Sequence, residues 1–270
     1  MTMGEQRLDP PVWTQCEGGV WTITLNRPRV LNAMTLEMFE LLQEAIEQGA
    51  REKEAEVVLI RGSGGNFCSG ADLSVLSSLR DEAQAEQALT TINRFLTALH
   101  RMPKPVVALI EGAAVGAGLN LALHADFVVA AEDALLQEPF VQIGLTTDFG
   151  GTYLLPRLVG MAQAKRLALL GDKLTGKEAE QIGLIYKAVE ASRIEEEVEL
   201  LIGKLRRIPQ KAYAVTKEGL LHSLAHDLDF ALQWEKEKQP SLIMEPEFES
   251  RVRARLHKEK DGEENGKIIR

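Results

Sequence analysis

Short apolar segments separated by stretches of helical period constrain this chain more than any other feature. Residues 57–61, 105–110 and 126–130 are almost wholly apolar and rich in valine and isoleucine, as strands buried on both faces are. Residues 20–25 supply another β-branched segment, closed by the turn-forming sequence Asn26-Arg27-Pro28. Between them, residues 36–51 place Met38, Leu41, Leu42 and Ala45 on one face, with Thr35 where an N-cap belongs. Residues 83–101 and 118–124 also read as helices. Strands alternating with helices predict parallel βαβ units, whose loops at the carboxyl ends of the strands receive ligands. From Gly160 onward the pattern is helical, over residues 161–170, 175–182, 194–207, 210–221 and 228–238. The expected organisation is an α/β core over residues 1–189, a smaller helical region over 190–257, and a disordered charged tail over 258–270.

Glycines crowd the loops after two of these strands. Gly62, Gly64, Gly65 and Gly70 follow the first; Gly112, Gly116 and Gly118 follow the second. Glycine allows backbone to approach backbone where a Cβ forbids it. Two such loops can aim N–H groups at one point, and the second opens a helix whose first N–H groups have no internal partner. Donors converging on one oxygen stabilise an enolate formed from a thioester. The alternative reading is that the glycines serve only tight turns and helix–sheet packing. A dinucleotide fingerprint is disfavoured, because Gly116-Ala117-Gly118-Leu119-Asn120-Leu121 lacks the third glycine of that motif.

A formal net charge of -9 disfavours a general nucleic-acid role. Cys16 and Cys68 are the only cysteines and have no metal-binding spacing, so the chain reads as reduced and intracellular. Residues 1–8 are polar, without the apolar run of a secretory signal, and no apolar run is long enough to span a bilayer. A cytoplasmic protein without membrane partners is expected. His222 and His226 stand four apart, the spacing of a metal pair on a helix, but the glutamate of a zinc-binding HExxH is missing, so no metal site is expected.

Three segments together resemble the crotonase superfamily, the enoyl-CoA hydratase/isomerase fold. They are Phe67-Cys68-Ser69-Gly70-Ala71-Asp72-Leu73, the cluster from Gly112 through Gly116-Ala117-Gly118 to Asn120, and the stretch from Ile143 to Arg157. The resemblance covers about residues 22–189. It implies an α/β crotonase (ClpP/crotonase-like) fold, a spiral of ββα units with a helical C-terminal region. It also implies an acyl-CoA thioester substrate, no cofactor beyond that CoA, and a homotrimer or dimer of trimers with the C-terminal helices between subunits. By the same resemblance, the N–H groups of Ala71 and Ala117 hold the thioester oxygen. Backbone near Ser69, Gly70 and Gly116 contacts the CoA and thioester, and Arg27 lies near the phosphates. At the C-terminal end Arg251 stands where the family has a glycine, which removes support for CoA contacts from that helix.

Hydratases of this family use two glutamates around a water. Asn120 occupies the first of those positions and Phe140, after Pro139, the second. Asp148, eight residues after Phe140, falls where isomerase branches carry a proton-shuttling aspartate. The pattern Ile143-Gly144-Leu145, two residues, Asp148, one residue, Gly150-Gly151 and then Leu155-Pro156-Arg157 resembles the phenylacetyl-CoA ring-epoxide isomerases most. The expected activity is isomerisation of an unsaturated or ring-modified acyl-CoA, with Asp148 as base beside Phe140 in an apolar pocket. The alternatives are enoyl-CoA hydration using Asp148 or Glu138, and a non-catalytic acyl-CoA-binding homologue. A chlorobenzoyl-CoA dehalogenase in the family has its nucleophilic aspartate at this place, but it pairs that residue with a tryptophan where this chain has Phe140. Asp148 could instead cap the helix that begins at the Gly150-Gly151 step.

Overall fold

The computed structural model describes residues 10–266. Strands β1 (Val12–Glu17) and β2 (Val20–Leu25) form an antiparallel hairpin, turned by Gly18 and Gly19 at φ 55° and 80°. β1 was not expected from the sequence. It is an edge strand with one face covered, and its alternation Val12-Trp13-Thr14-Gln15-Cys16-Glu17 is the pattern such a strand needs. Helix α1 (Leu36–Arg51) starts as predicted at Thr35, whose Oγ1 accepts the N–H of Met38 at 3.3 Å. β3 (Val57–Gly62), α2 (Leu73–Ser78), α3 (Glu82–His100), β4 (Val106–Ile110), β5 (Ala114–Val115), α4 (Ala117–Leu123), β6 (Phe127–Ala131) and β7 (Leu135–Gln137) follow. The chain continues through α5 (Gly151–Lys165), β8 (Lys173–Thr175), α6 (Gly176–Gln181), β9 (Lys187–Val189) and α7 (Ile194–Leu205).

The larger sheet has the order β1-β2-β3-β4-β6-β9, parallel from β2 onward. The smaller runs β5-β7-β8, with β5 and β7 parallel and β8 antiparallel to β7. Each of the three sequence-predicted buried strands is in the larger sheet, and every residue of β4 is buried. Residues 161–170, expected as one helix, are instead the end of α5 plus a π-helical turn, Arg166–Leu170. The helical run begins earlier, at Gly151, and Gly160 breaks it with φ 71° and ψ 165°.

The compact units divide after Arg207 rather than after residue 189, because α7 packs on β4 and β6 and so belongs with the sheet. The second unit contains α8 (Gln210–Ser223), α9 (Leu228–Ile243) and α10 (Pro246–Gly266). Gly219 lets α8 approach Trp234 of α9: a Cβ there would lie 2.6 Å from the indole. Of the tail expected to be disordered, residues 258–266 continue α10, and 267–270 lie outside the described residues.

Asn32 ties the segment after β2 to the loop after β3. It is fully buried at φ 57°, a left-handed conformation that asparagine tolerates better than most residues. Its Nδ2 donates to the carbonyls of Ser63 at 2.9 Å and Asn66 at 2.8 Å, while its Oδ1 accepts the N–H of Arg27 at 2.8 Å. Asn32→Ala leaves three backbone groups without partners and is expected to lower unfolding stability by about 2–4 kcal/mol, read by urea denaturation.

Candidate active site

The two glycine loops meet edge to edge. Cys68 bridges Ala114, Met34 bridges Ala71, and Val115 donates its N–H to the carbonyl of Cys68 at 2.9 Å. Met34 N–H donates to Gly70 O and Asp72 N–H to Met34 O, each at 2.8 Å, while Gly116 N–H donates to Gln137 O at 2.8 Å. These bonds pass over the N–H groups of Ala71 and Ala117, neither of which has an acceptor among the described residues. Gly70, at φ 103°, brings the loops together: a Cβ on it would lie 3.0 Å from the Val115 carbonyl and 3.7 Å from the Ala117 nitrogen. Ala117 is the first residue of α4, so its N–H is left free by the geometry of a helix start. Two free donors on touching loops provide the pair an enolate oxygen needs.

These donors border a cleft of about 470 Å³. Its walls are Val30, Ala33, Leu73, Val115, Pro139, Phe140, Ile143 and Leu145, with Ser69, Gly70, Ala71, Asp72, Gly116 and Ala117 on the loop side, and Asp148. Phe140 packs over Gly116, where a Cβ would touch its ring at 3.4 Å. The lining is mainly apolar, and Asp148 and Asp72 are its carboxylates. Asp72 is already engaged: it accepts from Ser74 Oγ–H at 2.6 Å, from Arg27 at 2.8 Å and from Ser74 N–H at 3.0 Å, which holds its carboxyl down at about 2.

The carboxyl of Asp148 is not so engaged. Its Oδ1 is buried without a hydrogen-bond partner, and burial pushes its pKa up to about 6. It does not cap α5. Gly150 is the N-cap residue, and it is the main-chain carbonyl of Asp148 that accepts Gly151 N–H at 2.9 Å. The following residue, Phe149, is held at φ 50° with its ring buried about 6.0 Å from those of both Phe39 and Phe95. Such a conformation persists only where the surroundings enforce it. His124 contributes: its Nε2 lies 3.0 Å from the carbonyl of Phe149. Burial lowers the pKa of His124 to about 4, so the neutral ring donates from Nε2.

Asn120, at the first family glutamate position, does not face the cleft. It is fully buried, and its Nδ2 donates to Asp148 O at 2.9 Å, Glu138 Oε2 at 3.1 Å and Thr147 Oγ1 at 3.2 Å. Glu138, considered from the sequence as a rival base, is only 1% exposed and is absent from the cleft wall. Sequence reasoning missed His124, Phe149 and Thr147 as parts of the site. The aromatic residue before Gly150-Gly151 was the one available sign of a forced turn.

Arg27, expected beside CoA phosphates, donates from one guanidinium nitrogen to Asp72 and to the carbonyl of Ala33 at 2.6 Å. In the second unit, His226 stacks on Phe230 with ring centres 3.8 Å apart, and His222 packs edge-on against Trp234. No group of metal-binding side chains occurs among the described residues. Arg251 pairs with Glu247 at 2.8 Å along α10. No helix among the described residues is long and apolar enough to cross a membrane.

A family model described as enoyl-CoA hydratase/isomerase matches residues 15–262. A probable enoyl-CoA hydratase of Rhodobacter capsulatus is 38% identical over 245 residues, covering 89% of this chain and 92% of that protein. A 1,2-epoxyphenylacetyl-CoA isomerase of Escherichia coli is 34% identical over 232 residues, covering 84% and 88%. Among solved structures, an enoyl-CoA hydratase from Bacillus anthracis superposes with a TM-score of 0.87 at 31% identity, covering 92% of this chain and 97% of that one.

Proposed function

Because the chain belongs to the enoyl-CoA hydratase/isomerase family, we propose that within it the protein is an isomerase that moves a proton along an unsaturated or ring-modified acyl-CoA. The observation that carries this reading is Asp148: a carboxyl with no cationic partner among the described residues, its Oδ1 without a hydrogen bond and its pKa raised by burial, on an apolar cleft bordered by two free N–H donors. With a 3-enoyl thioester, the Asp148 carboxylate takes a proton from C2 and the electron pair flows into a dienolate. The N–H groups of Ala71 and Ala117 bind its oxygen. The carboxylic acid then returns the same proton to C4 as the thioester carbonyl re-forms, leaving a conjugated 2-enoyl product and a regenerated carboxylate. Hydration would need a second carboxyl on the cleft to complete the pair around a water. Asp72 is tied to Arg27 and Ser74, and Glu138 lies off the wall.

The substrate's own CoA is the only cofactor this chemistry needs. Ser69, Gly70 and Gly116 supply backbone contacts to it, Phe140 packs against the acyl group, and Arg27 meets the phosphates with guanidinium N–H groups other than the Nη1 that holds Asp72. The working assembly is a homotrimer or a dimer of trimers in the cytoplasm, and a monomeric mass in light scattering would contradict it. The activity is tested by giving the protein a 2-enoyl-CoA, scored for hydration, and a 3-enoyl-CoA, scored for conjugation; conjugation faster than hydration is expected. Asp148 must be ionised to accept the proton, and its value stands at about 6. The acid limb of kcat/KM is therefore expected near pH 6, with activity lost below it, rather than near the ordinary aspartate value of about 4.

A further inference from the structure

We propose that Glu138 is a positioning residue: a neutral, buried acid that fixes Asn120 and Thr147 and, through them, the segment presenting Asp148 to the cleft. The inference rests on the assignment of Asp148 as the proton shuttle. Glu138 follows β7, is 1% exposed, and has no basic partner among the described residues. Its Oε2 accepts Thr147 Oγ1–H at 2.8 Å and Asn120 Nδ2–H at 3.1 Å. Asn120 in turn donates to the carbonyl of Asp148. One carboxyl oxygen thus fixes both the residue before Asp148 and the amide that holds the main chain of Asp148.

A buried carboxylate facing no cation is far costlier than the protonated acid. Only one oxygen of Glu138 is occupied; Oε1 has no partner among the described residues. The hydrogen bonds from Thr147 and Asn120 favour the charged form, but burial outweighs them, and no cation among the described residues joins them. Helix α4 presents Asn120, which carries no charge, and His124, which is neutral. The segment before α5 presents Thr147 and Asp148, and Gly151 at the start of α5 lies against the Asn120 amide. Asp148 is the titratable neighbour whose charge acts on Glu138, and that charge favours the protonated form further. Burial, opposed by the hydrogen bonds from Thr147 and Asn120 and aided by the charge of Asp148, pushes Glu138 up to about 8. At neutral pH the two carboxyls therefore differ in charge: Asp148 ionised, Glu138 not.

Glu138→Gln keeps an oxygen for Thr147 and Asn120 but cannot ionise, whereas Glu138→Ala removes the acceptor. The first measurement needs no substrate: thermal unfolding of the wild type and the Gln variant across pH. Between about 4.5 and 8 folded Glu138 holds a proton that the unfolded chain releases, so its contribution is complete below the lower value and lost as pH rises to the upper one. The wild type should lose melting temperature through that window more steeply than Glu138→Gln; parallel profiles would overturn the neutral acid. The second measurement is 3-enoyl-CoA isomerisation. Glu138→Gln should keep kcat near wild type and lack the alkaline limb expected near pH 8 for the wild type. Glu138→Ala should lower kcat on the order of 100-fold with KM little changed. A Glu138→Ala enzyme with wild-type kcat would overturn the positioning role. Should Asp148→Asn retain isomerisation, the shuttle assignment fails by itself, and the unfolding profiles still decide the charge state of Glu138.

Discussion

Asp148→Asn is expected to cut isomerisation of a 3-enoyl-CoA by about 10²- to 10⁴-fold in kcat, the range by which a positioned general base accelerates such a step. The substitution is nearly isosteric, and the amide it introduces cannot accept the proton. The fold should survive it, because the neighbours of Asp148 hold its main chain rather than its carboxyl. Asn120 and Gly151 both donate to its carbonyl, while Oδ1 has no partner. Removing an ionisable group from a buried place also removes a desolvation cost, so the variant should unfold no more readily than the wild type at pH 7. KM should change little, since the carboxylate contributes to the transition state rather than to binding of the CoA. A loss below about tenfold would mean that another group takes the proton, because no base acting directly contributes so little. Glu138 would then be the next candidate, brought to the cleft by a rearrangement of the residues after Gly144.

The parts of this site differ in how far the sequence disclosed them, for physical reasons. Strand β2 and helix α1 begin and end where the pattern places them, because a six-residue segment with four β-branched residues and a capped amphipathic run each carry their own signal. Strands β5, β7, β8 and β9 have two or three residues each, too few to show any period, and they form because neighbouring backbone offers a ladder. The two donor loops were legible through their glycines, since Gly70 at φ 103° and Gly118 packed on the carbonyl of Cys68 leave no room for a side chain. Asp148 stood out only through the family pattern around it, because a lone aspartate before a Gly-Gly step is as consistent with a helix cap. Its supports were illegible. Glu138, Asn120 and Thr147 are far apart along the chain, and nothing in their spacing tells that one carboxyl oxygen will receive both an amide and a hydroxyl. That register is set when β7 pairs with β5 and lays the following turn across α4.

Ala117→Pro should disable the same reaction from the opposite side of the substrate, lowering kcat/KM by about 10²- to 10³-fold, as loss of one oxyanion donor does. Ala117 is the first residue of α4, where proline is well accepted, because no helical hydrogen bond uses that N–H and the fixed φ suits a helix start. Gly116 before it, at φ 53° and ψ −122°, has no Cβ to clash with the proline ring and already occupies a conformation that only glycine takes readily. The substitution therefore removes the donor while leaving α4, and with it Asn120, in place. That separates it from a variant such as Gly70→Ala, whose Cβ would press on the Val115 carbonyl and disturb both loops at once. Because Ala117 and Asp148 act on different atoms of the same transition state, the double variant should fall well short of the product of the two single losses. With one donor gone the dienolate no longer forms at a useful rate, and the base then has little left to accelerate. Full additivity would indicate that the N–H of Ala117 binds the ground-state thioester as tightly as the enolate, and that Ala71 alone carries the developing charge.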